Sequence, residues 1–359
     1  MTHTRHQALI AGLTASAFVL SNFSPRAPGR EIGWHVVPID TRASFRGLAV
    51  AAGGAIWVGG SQGTVIRSTD AGATWSVDSV PGARHFDLRG VAAVDASIAY
   101  VAVSSADTGR VYKTTDGGHT WQLQYRDERP GVFLDGAGCW TPLRCLAAGD
   151  PIDGHFLVVT TDDGGAHWAV HDAASSPTAR SGDGAFAASN TALVLGTAGR
   201  AWIATGGGPT SRVWRTTDYG VMWRSAETPV GAATASAGIF SLAFCDDDKG
   251  IAVGGDYRLP DGTGAHVAVS VDGGGTWTLS DTERATPYLS GAACIGLGAD
   301  GPAVVAVGPS GTYQAADAQH WARVARDGFN AVVVVHRSRL VAVGGNGVVA
   351  VADAPGLHR

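Results

Sequence analysis

The sequence predicts an all-β protein, and three features support this prediction: its composition, a short phrase that recurs along the chain, and alternating segments on both sides of each copy. Of the 359 residues, 45% are hydrophobic and 16% are charged, and there are 51 glycines and 11 tryptophans. This combination is typical of a packed protein with many tight turns rather than of a helical or disordered chain. The length alone allows one large domain or two average ones.

The recurring phrase is Ser/Thr-x-Asp-x-Gly followed by a tryptophan, as in "TTDGGHTW" at Thr114–Trp121. Because it lies between alternating segments, it predicts a β-hairpin turn. The aspartate can accept hydrogen bonds from backbone N–H groups two or three residues on, the glycine can adopt positive φ, and the tryptophan can cover the hairpin. The five copies contain Asp70 and Trp75, Asp116 and Trp121, Asp163 and Trp168, Asp218 and Trp223, and Asp272 and Trp277, and an eroded sixth copy ends at Trp321.

The spacing of the copies matches one blade of a β-propeller. The aspartates lie 46, 47, 55 and 54 residues apart (70 to 116, 116 to 163, 163 to 218 and 218 to 272), a period that fits four strands. After the sixth copy, "FNAVVVV", "RLVAVGG" and "GVVAVAD" supply three more strands. "WHVVPI" from Trp34 resembles the fourth-strand segment "WSVDSV" from Trp75. We therefore predict seven blades, the last closed by the N-terminal strand, which removes the open sheet edges.

The first thirty residues predict an export signal. They contain no Asp or Glu, include Arg5 and Arg26, and carry the apolar run "ALIAGLTASAFVL" at Ala8–Leu20. The run is too short to span a bilayer comfortably, which favours a signal over a membrane helix, although an uncleaved anchor is the alternative. We expect a leader at residues 1–30, a single propeller domain at 31–359, and a periplasmic or secreted location.

Charge and cysteine content narrow the possible partners. The net charge is −5 without a block of like charge, so nucleic acid is not an expected partner. Four cysteines, Cys139, Cys145, Cys245 and Cys294, allow three pairings, and buried free thiols are an equal alternative. "CDDDKG" from Cys245 offers three carboxylates, but three adjacent side chains cannot all reach one ion. We therefore expect neither a metal nor a cofactor.

The recurring phrase resembles the Asp-box, or BNR repeat, of sialidases, other glycoside hydrolases and non-enzymatic propellers. The unit "LRGVAAVDASIAYVAV...GRVYKTTDGGHTW" is most similar to the photosystem II stability/assembly factor family, whose members are seven-bladed propellers. The resemblance covers roughly residues 34 to 353. It implies a protein-binding ring on the lumenal or periplasmic side of a membrane, without implying the photosystem itself.

The predicted strand order assigns the candidate binding residues to one face. The Asp turns join third to fourth strands on one face, whereas the second-to-third loops and the starts of the inner strands surround the channel on the other, where propellers usually bind. Arg46, Arg89 and Asp135 start the first three inner strands, Asp183 lies near that position in the fourth, and Phe240, Ser290 and Phe329 occupy it later. The loops add Asp150, Asp153, Arg212, Asp256, Tyr257 and Arg258.

Two functions fit this face. The first is an exported, monomeric scaffold that binds a protein or peptide of a membrane or envelope complex. In it Arg46, Arg89, Arg212 and Arg258 hold carboxylates, and Phe240, Phe329 and Tyr257 give apolar contact. A purely structural alternative is that Arg46 and Arg89 pair with Asp135 and Asp183 to fill the ring.

The second function is a glycoside hydrolase acting on carbohydrate. Its two catalytic carboxylates would come from Asp135, Asp150, Asp183 and Asp256. "FRGL" at Phe45–Leu48 departs from the Phe/Tyr-Arg-Ile-Pro phrase of sialidases. The seven predicted units also disagree with the six blades of sialidases. We assign no catalytic residue under the binding hypothesis.

Overall fold

The computed structural model describes residues 31–280, 286–298, 301–336 and 339–354, and the predicted export segment at 1–30 lies outside them. Within these residues, seven four-stranded antiparallel sheets form, each strand pairing with its neighbours in the predicted order. A 3-10 turn at Ser61–Gly63 interrupts blade I. No helix among the described residues is long and apolar enough to cross a membrane. The prediction of an all-β, seven-bladed propeller is confirmed.

Six blades are continuous in sequence. Blade I contains β2 (Phe45–Val50), β3 (Ile56–Gly60), β4 (Thr64–Ser68) and β5 (Ser76–Ser79); blade II contains β6 (Leu88–Ala93), β7 (Ala99–Val103), β8 (Gly109–Thr114) and β9 (Gln122–Asp127). Blade III contains β10 (Leu134–Cys139), β11 (Cys145–Ile152), β12 (His155–Thr161) and β13 (Ala169–Val170); blade IV contains β14 (Leu193–Leu195), β15 (Ala201–Ala204), β16 (Arg212–Thr216) and β17 (Arg224–Glu227). Blade V contains β18 (Ala237–Phe244), β19 (Gly250–Asp256), β20 (Val267–Ser270) and β21 (Thr278–Leu279); blade VI contains β22 (Gly291–Gly298), β23 (Gly301–Gly308), β24 (Gly311–Ala315) and β25 (Ala322–Ala325).

The seventh blade joins the two ends of the described chain, as the sequence predicts. It contains β26 (Ala331–Val335), β27 (Arg339–Val343), β28 (Val349–Asp353) and β1 (His35–Val37), and β1 pairs antiparallel with β28. Trp34 holds the junction, because its indole N–H donates to the Thr312 hydroxyl at 3.0 Å and its ring lies 4.8 Å from that of Phe329. The ring therefore closes through backbone hydrogen bonds and an aromatic contact.

The five Asp turns share one hydrogen-bond pattern. Asp70 accepts the N–H of Thr74 at 2.9 Å and its hydroxyl at 2.6 Å, so the bond spans four residues, not the predicted two or three. Ser68 donates to Asp70 and accepts the N–H of Gly72, whose φ is 85°. The bonds from Thr74 lower the pKa of Asp70 to about 2. Asp116, Asp163, Asp218 and Asp272 accept the equivalent N–H, and Trp321 covers the eroded sixth turn.

Neighbouring blades are joined by large buried side chains on the second strands. Trp57, Tyr100 and Trp202 each extend to the turns of the following blade. The Trp57 indole donates to the carbonyl of Asp95 at 2.8 Å, the Tyr100 hydroxyl to Gly164 at 2.7 Å, and the Trp202 indole to Gly273 at 2.9 Å. Because all three are at most 2% exposed, their rings fill the space between blades while their polar atoms remain bonded.

Two disulfides resolve the alternatives that the sequence leaves open. Cys139 pairs with Cys145 across β10 and β11, and Cys245 pairs with Cys294, which joins blade V to the inner strand of blade VI. There is no free cysteine. The second bond restrains the unfolded chain over a separation of 49 residues, the kind of long loop for which cross-linking stabilises most.

Candidate binding site

Four inner strands begin with a β-bulge that turns one side chain towards the channel. The pairing register shifts at Phe45/Gly47, Leu88/Gly90, Leu134/Gly136 and Ile239/Ser241, so the extra residues are Arg46, Arg89, Asp135 and Phe240. Ser290 and Asn330 hold the same position in blades VI and VII, since each donates its N–H to the residue that pairs with its successor. Bulges commonly redirect side chains at functional rims.

The four bulge residues, together with Ser290 and Asn330, line one cavity of about 560 Å³. Its other walls come from Asp150 at the end of β11, Tyr257 after β19, Tyr288 before β22, and the segment Ala185–Ala188. These elements lie at the starts of inner strands and after second strands, which is the face that the sequence assigns to binding. A volume of this size matches pockets that hold small molecules or a short peptide segment.

The connector between β13 and β14, residues 171–192, contributes Ala185–Ala188 to the wall of the cavity. Its Gly184 exchanges two backbone hydrogen bonds of 2.9 Å with Gly206, which follows β15 in blade IV. A Cβ on Gly206 would lie 2.5 Å from the ring of Phe186 and 2.7 Å from the Cα of Gly238, so only glycine fits between the connector and blade V at this point. The connector then places Phe186 inside the cavity, where blade IV contributes no bulge residue.

Blades I and II make one side of the cavity basic. Arg89 donates to Asp87 at 2.7 Å and to the carbonyl of Ala187 at 3.5 Å. Arg46, in contrast, makes no hydrogen bond or ion pair with any described residue. Burial, and after it the neighbouring Arg89, lowers the pKa of Arg46. A partly desolvated guanidinium without a partner is therefore available to a ligand at the cavity.

Blade III makes the adjoining side acidic. Asp135 is 3% exposed, and neither carboxyl oxygen makes a hydrogen bond of ordinary geometry or contacts solvent. Asp150 is less enclosed, and its Oδ1 accepts the N–H of Ala185 at 3.0 Å. Burial, and then the Asp150 carboxylate, raises the pKa of Asp135 well above its usual range, while Arg89 acts in the opposite direction. Burial also raises the pKa of Asp150.

Blades IV to VI supply an aromatic cluster centred on Phe240. The ring of Phe186 stacks on that of Phe240 with centroids 4.0 Å apart. Tyr288 and Tyr257 meet Phe240 edge-on at 4.8 and 6.1 Å. Tyr257 is 47% exposed, so the cluster extends from the buried floor to the open rim. Burial raises the pKa of Tyr288, which keeps its hydroxyl neutral.

Seven of the thirteen predicted residues therefore line the cavity: Arg46, Arg89, Asp135, Asp150, Phe240, Tyr257 and Ser290. Of the six that do not, Asp153 lies in the turn between β11 and β12. Arg212 and Asp183 instead form a buried ion pair in which Asp183 also accepts the N–H of Arg180. Asp183 does not start an inner strand, since β14 begins at Leu193. The alternative that Arg46 and Arg89 pair with Asp135 and Asp183 is not what forms, because Arg89 pairs with Asp87.

The other three lie at the rim or in the core. Asp256 accepts the hydroxyl of Thr234 at 2.9 Å and caps its own loop, and the guanidinium of Arg258 lies 6.0 Å from the Tyr257 ring. Phe329 is 5% exposed and packs against Trp34, one residue before the bulge position that Asn330 occupies. Placing Phe329 at the cavity was therefore wrong by one residue.

Sequence reasoning missed Phe186, Tyr288 and Asn330. Asn330 could have been found, because Phe329-Asn330-Ala331 matches Phe45-Arg46-Gly47 in position. Phe186 lies in a connector without a repeat pattern, so no sequence signal points to it. No group of three His, Cys, Asp or Glu side chains within the described part of the chain is arranged to hold a metal ion.

The fold and this cavity define a seven-bladed β-propeller with a pocket, part charged and part aromatic, at one mouth of its channel. No family model matches the sequence. A curated relative, the photosystem II assembly lipoprotein Ycf48 of Synechococcus sp. (strain CC9902), is 28% identical over 231 residues, which is 62% of this chain. The match spans 57% of the relative's length, little more than half.

Two solved structures share the fold. YCF48 from Cyanidioschyzon merolae has a TM-score of 0.61 at 15% identity, covering 89% of this chain and 98% of that one. A structure described as YCF48 bound to D1 peptide has a TM-score of 0.62 at 13% identity, covering 90% and 97%. At these identities the structures establish the fold alone. With the curated relative, they confirm the resemblance to the photosystem II assembly factor family.

Proposed function

We propose that the protein binds a protein or peptide partner at this cavity and so assists assembly or maturation of a membrane or envelope complex. The similarity to an assembly lipoprotein supports the proposal, and so does the fold shared with a propeller bound to a peptide. The observation that carries it is the Arg46 guanidinium, which has no partner among the described residues and shares a cavity with an aromatic cluster.

An arginine without a partner beside an aromatic cluster fits a peptide-binding site better than a purely structural role. Arg46 is half-buried, and a partly desolvated cation without a paired counter-ion costs folding free energy, which a ligand carboxylate would offset. The aromatic cluster beside it can hold an apolar side chain, and desolvated aromatic pockets supply much of the affinity at protein interfaces. The ligand segment is therefore an acidic residue or a carboxyl terminus next to an apolar side chain.

The test compares wild type with the double variant R46A/R89A. Both proteins are incubated with positional-scanning hexapeptide libraries, in which one position at a time is fixed, and bound peptides are identified by native mass spectrometry. We expect wild type to select Asp, Glu or a free carboxyl terminus beside an aromatic or aliphatic residue. The double variant should lose this selection while its unfolding midpoint stays near that of wild type.

The matched control is R126A, since Arg126 lies on β9 outside the cavity and pairs with Glu128 at 2.7 Å. R126A should bind as wild type does. If the double variant unfolds early yet still selects the same peptides, the arginines are structural and the proposal is wrong. Equal selection by stable R46A/R89A and wild type would also contradict it.

Export and assembly need a separate experiment. In our proposal residues 1–30 direct the chain across the membrane, and a single folded copy then acts in the periplasm or outside the cell. Fractionation of the native cells should place the protein in the envelope, and gel filtration should give a monomer. Affinity capture from that fraction should retain the same membrane or envelope complex with wild type and R126A, but not with R46A/R89A.

A glycoside hydrolase is the second candidate, because Asp135 and Asp150 line one cavity and the Asp150 carboxylate helps to raise the pKa of Asp135. Against it, the oxygens of Asp135 are out of contact with solvent, and Asp183 and Asp256 are committed elsewhere. A screen of nitrophenyl glycosides should show no hydrolysis above that of the variant D150N. Turnover that D150N abolishes would favour the enzyme instead.

A further inference from the structure

The acidic side of the cavity contains two carboxylates that the binding of an acidic ligand does not use. Asp135 is the bulge residue of β10, and Asp150 follows Gly149 on the paired strand β11, so both lie at the same end of one strand pair. Asp135 is almost fully buried, and neither of its oxygens makes a hydrogen bond of ordinary geometry. Asp150 uses Oδ1 for the N–H of Ala185, while Oδ2 has no partner among the described residues.

The described fold compensates this pair only in part. Arg89 and the N–H of Ala187 favour the charged form of Asp135, but Arg89 already pairs with Asp87. Two adjacent acids in a desolvated site disfavour ionisation of each other. A cation placed against Asp150 would relieve both, since it would pair with the exposed oxygen directly and attract the Asp135 carboxylate behind it.

We propose that Asp135 and Asp150 form a subsite for a primary ammonium group of the peptide ligand, either a lysine side chain or a free amino terminus. The inference rests on the proposed function and adds a second charge to the ligand. Arg46 receives a carboxylate, Asp150 receives an ammonium group, and the Phe240 cluster holds the apolar part between them. Aromatic rings lining the same cavity also favour an ammonium group through cation–π attraction.

The proposal also makes binding depend on pH. When the ammonium group arrives, the Asp135 carboxyl group loses its proton, so binding releases protons and strengthens as pH rises, up to the pH at which the ammonium group itself deprotonates, about 8 for an amino terminus. Burial keeps the hydroxyl of Tyr288 neutral over this range, so we assign the pH dependence to the two acids. A site made of Arg46 and the aromatic cluster alone would not show this dependence.

The experiment uses the same hexapeptide libraries, now with lysine fixed at one position at a time and with amino termini either free or acetylated. Wild type should bind peptides with an ammonium group about tenfold more tightly than matched peptides without one, because a charged hydrogen bond is lost. A preference that acetylation removes identifies the amino terminus, and one that survives acetylation identifies lysine. D150N should abolish the preference, and D135N should weaken it and flatten its pH dependence.

The control is D353N, because Asp353 is exposed at the end of β28 and does not line the cavity. It should keep the full preference. If peptides bind through Arg46, but neither wild type nor D150N binds peptides with an ammonium group more tightly than peptides without one, the proposed subsite is wrong and the proposed function stands. If Ca²⁺ or Mg²⁺ raises the unfolding temperature of wild type but not that of D150N, the subsite binds a metal ion and the assignment to an ammonium group is wrong. If no hexapeptide binds wild type, both proposals are wrong.

Discussion

On the face that carries the Asp turns, each aspartate accepts hydrogen bonds from groups within four residues, whereas Asp135 on the cavity face is buried without a bond of ordinary geometry. The turn face repeats one pattern in five blades. On the cavity face the bulge residues differ from blade to blade, as Arg46, Asp135 and Phe240 show. The turn aspartates are therefore satisfied by local bonds that repeat from blade to blade, whereas the cavity face leaves the Asp135 carboxyl group without such bonds.

The contrast has a physical basis. A turn aspartate is bonded within its own hairpin, so the same solution can be copied into every blade. The bulge positions all point towards one central space, and only one set of side chains can fill it. Repetition there would place like charges together, which is unfavourable in a desolvated site. The side chains on the cavity face therefore differ from blade to blade.

The largest expected effect concerns the Arg212–Asp183 ion pair, which is structural although it lies near the cavity. The two side chains are 9% and 0% exposed, so R212A would leave the buried Asp183 carboxylate with only the more distant Arg180 guanidinium, 3.6 Å away, as its cationic partner among the described residues. Breaking a buried pair costs about 3 to 5 kcal/mol. Urea unfolding should show this loss. The double variant R212M/D183L is the control, and it should recover most of the stability; equal losses in both would contradict the ion-pair explanation.

A smaller effect is expected on the turn face, where the number of local bonds varies. Asp272 accepts bonds from Ser270, Gly275 and both donors of Thr276, whereas Asp218 accepts only from Thr216 and the N–H of Met222. D272A should therefore destabilise by about 1 kcal/mol, and D218A by less. Thermal unfolding measures the difference. Equal losses would mean that the turn does not depend on these bonds.

The destabilisation caused by D272A should also disappear in acid. Bonds from Thr276 lower the pKa of Asp272 to about 2, so the folded state holds its proton less tightly than the unfolded chain does. The stability that the carboxylate supplies is present above the unfolded pKa of about 4 and is lost as pH falls towards about 2. Wild type and D272A should therefore converge over that range, and a constant difference would contradict the assignment.

The fold was predictable because its signal is repeated and local. The spacing of the Asp turns gave the blade length, and the likeness of Trp34 to Trp75 identified the closing strand. Each turn also forms its bonds within a few residues, so no distant contact was needed to predict it. The pairing of Cys245 with Cys294 was not predictable, since it depends on how blade V packs against blade VI.

The cavity was only partly predictable because bulges shift the count of residues. Arg46, Arg89 and Asp135 each precede a glycine, so aligning these glycines shows that the three residues share a position. In blade VII the equivalent residue is Ala331 rather than glycine, and the prediction chose Phe329 instead of Asn330. The connector between β13 and β14 has no repeat to align. Its Phe186, which completes the aromatic cluster, became visible only with the three-dimensional structure.

The last expected effect is close in size to that of D272A, and it contrasts buried Asp135 with the turn aspartates through pH. Because burial and Asp150 raise the pKa of Asp135, the folded protein holds this proton more tightly than the unfolded chain does. The stability that the protonated Asp135 carboxyl group contributes is therefore present below the unfolded pKa of about 4 and is lost as pH rises through the folded pKa. D135N, which stays neutral, should match wild type near pH 4 and exceed it by about 1 kcal/mol at pH 8, the cost of a buried group that is poorly bonded. D353N, with an exposed carboxylate, should show no such trend. If D135N is instead less stable than wild type at pH 8, attraction to Arg89 outweighs burial, and the acidic side of the cavity is held together by the same kind of ion pair as Arg212 and Asp183.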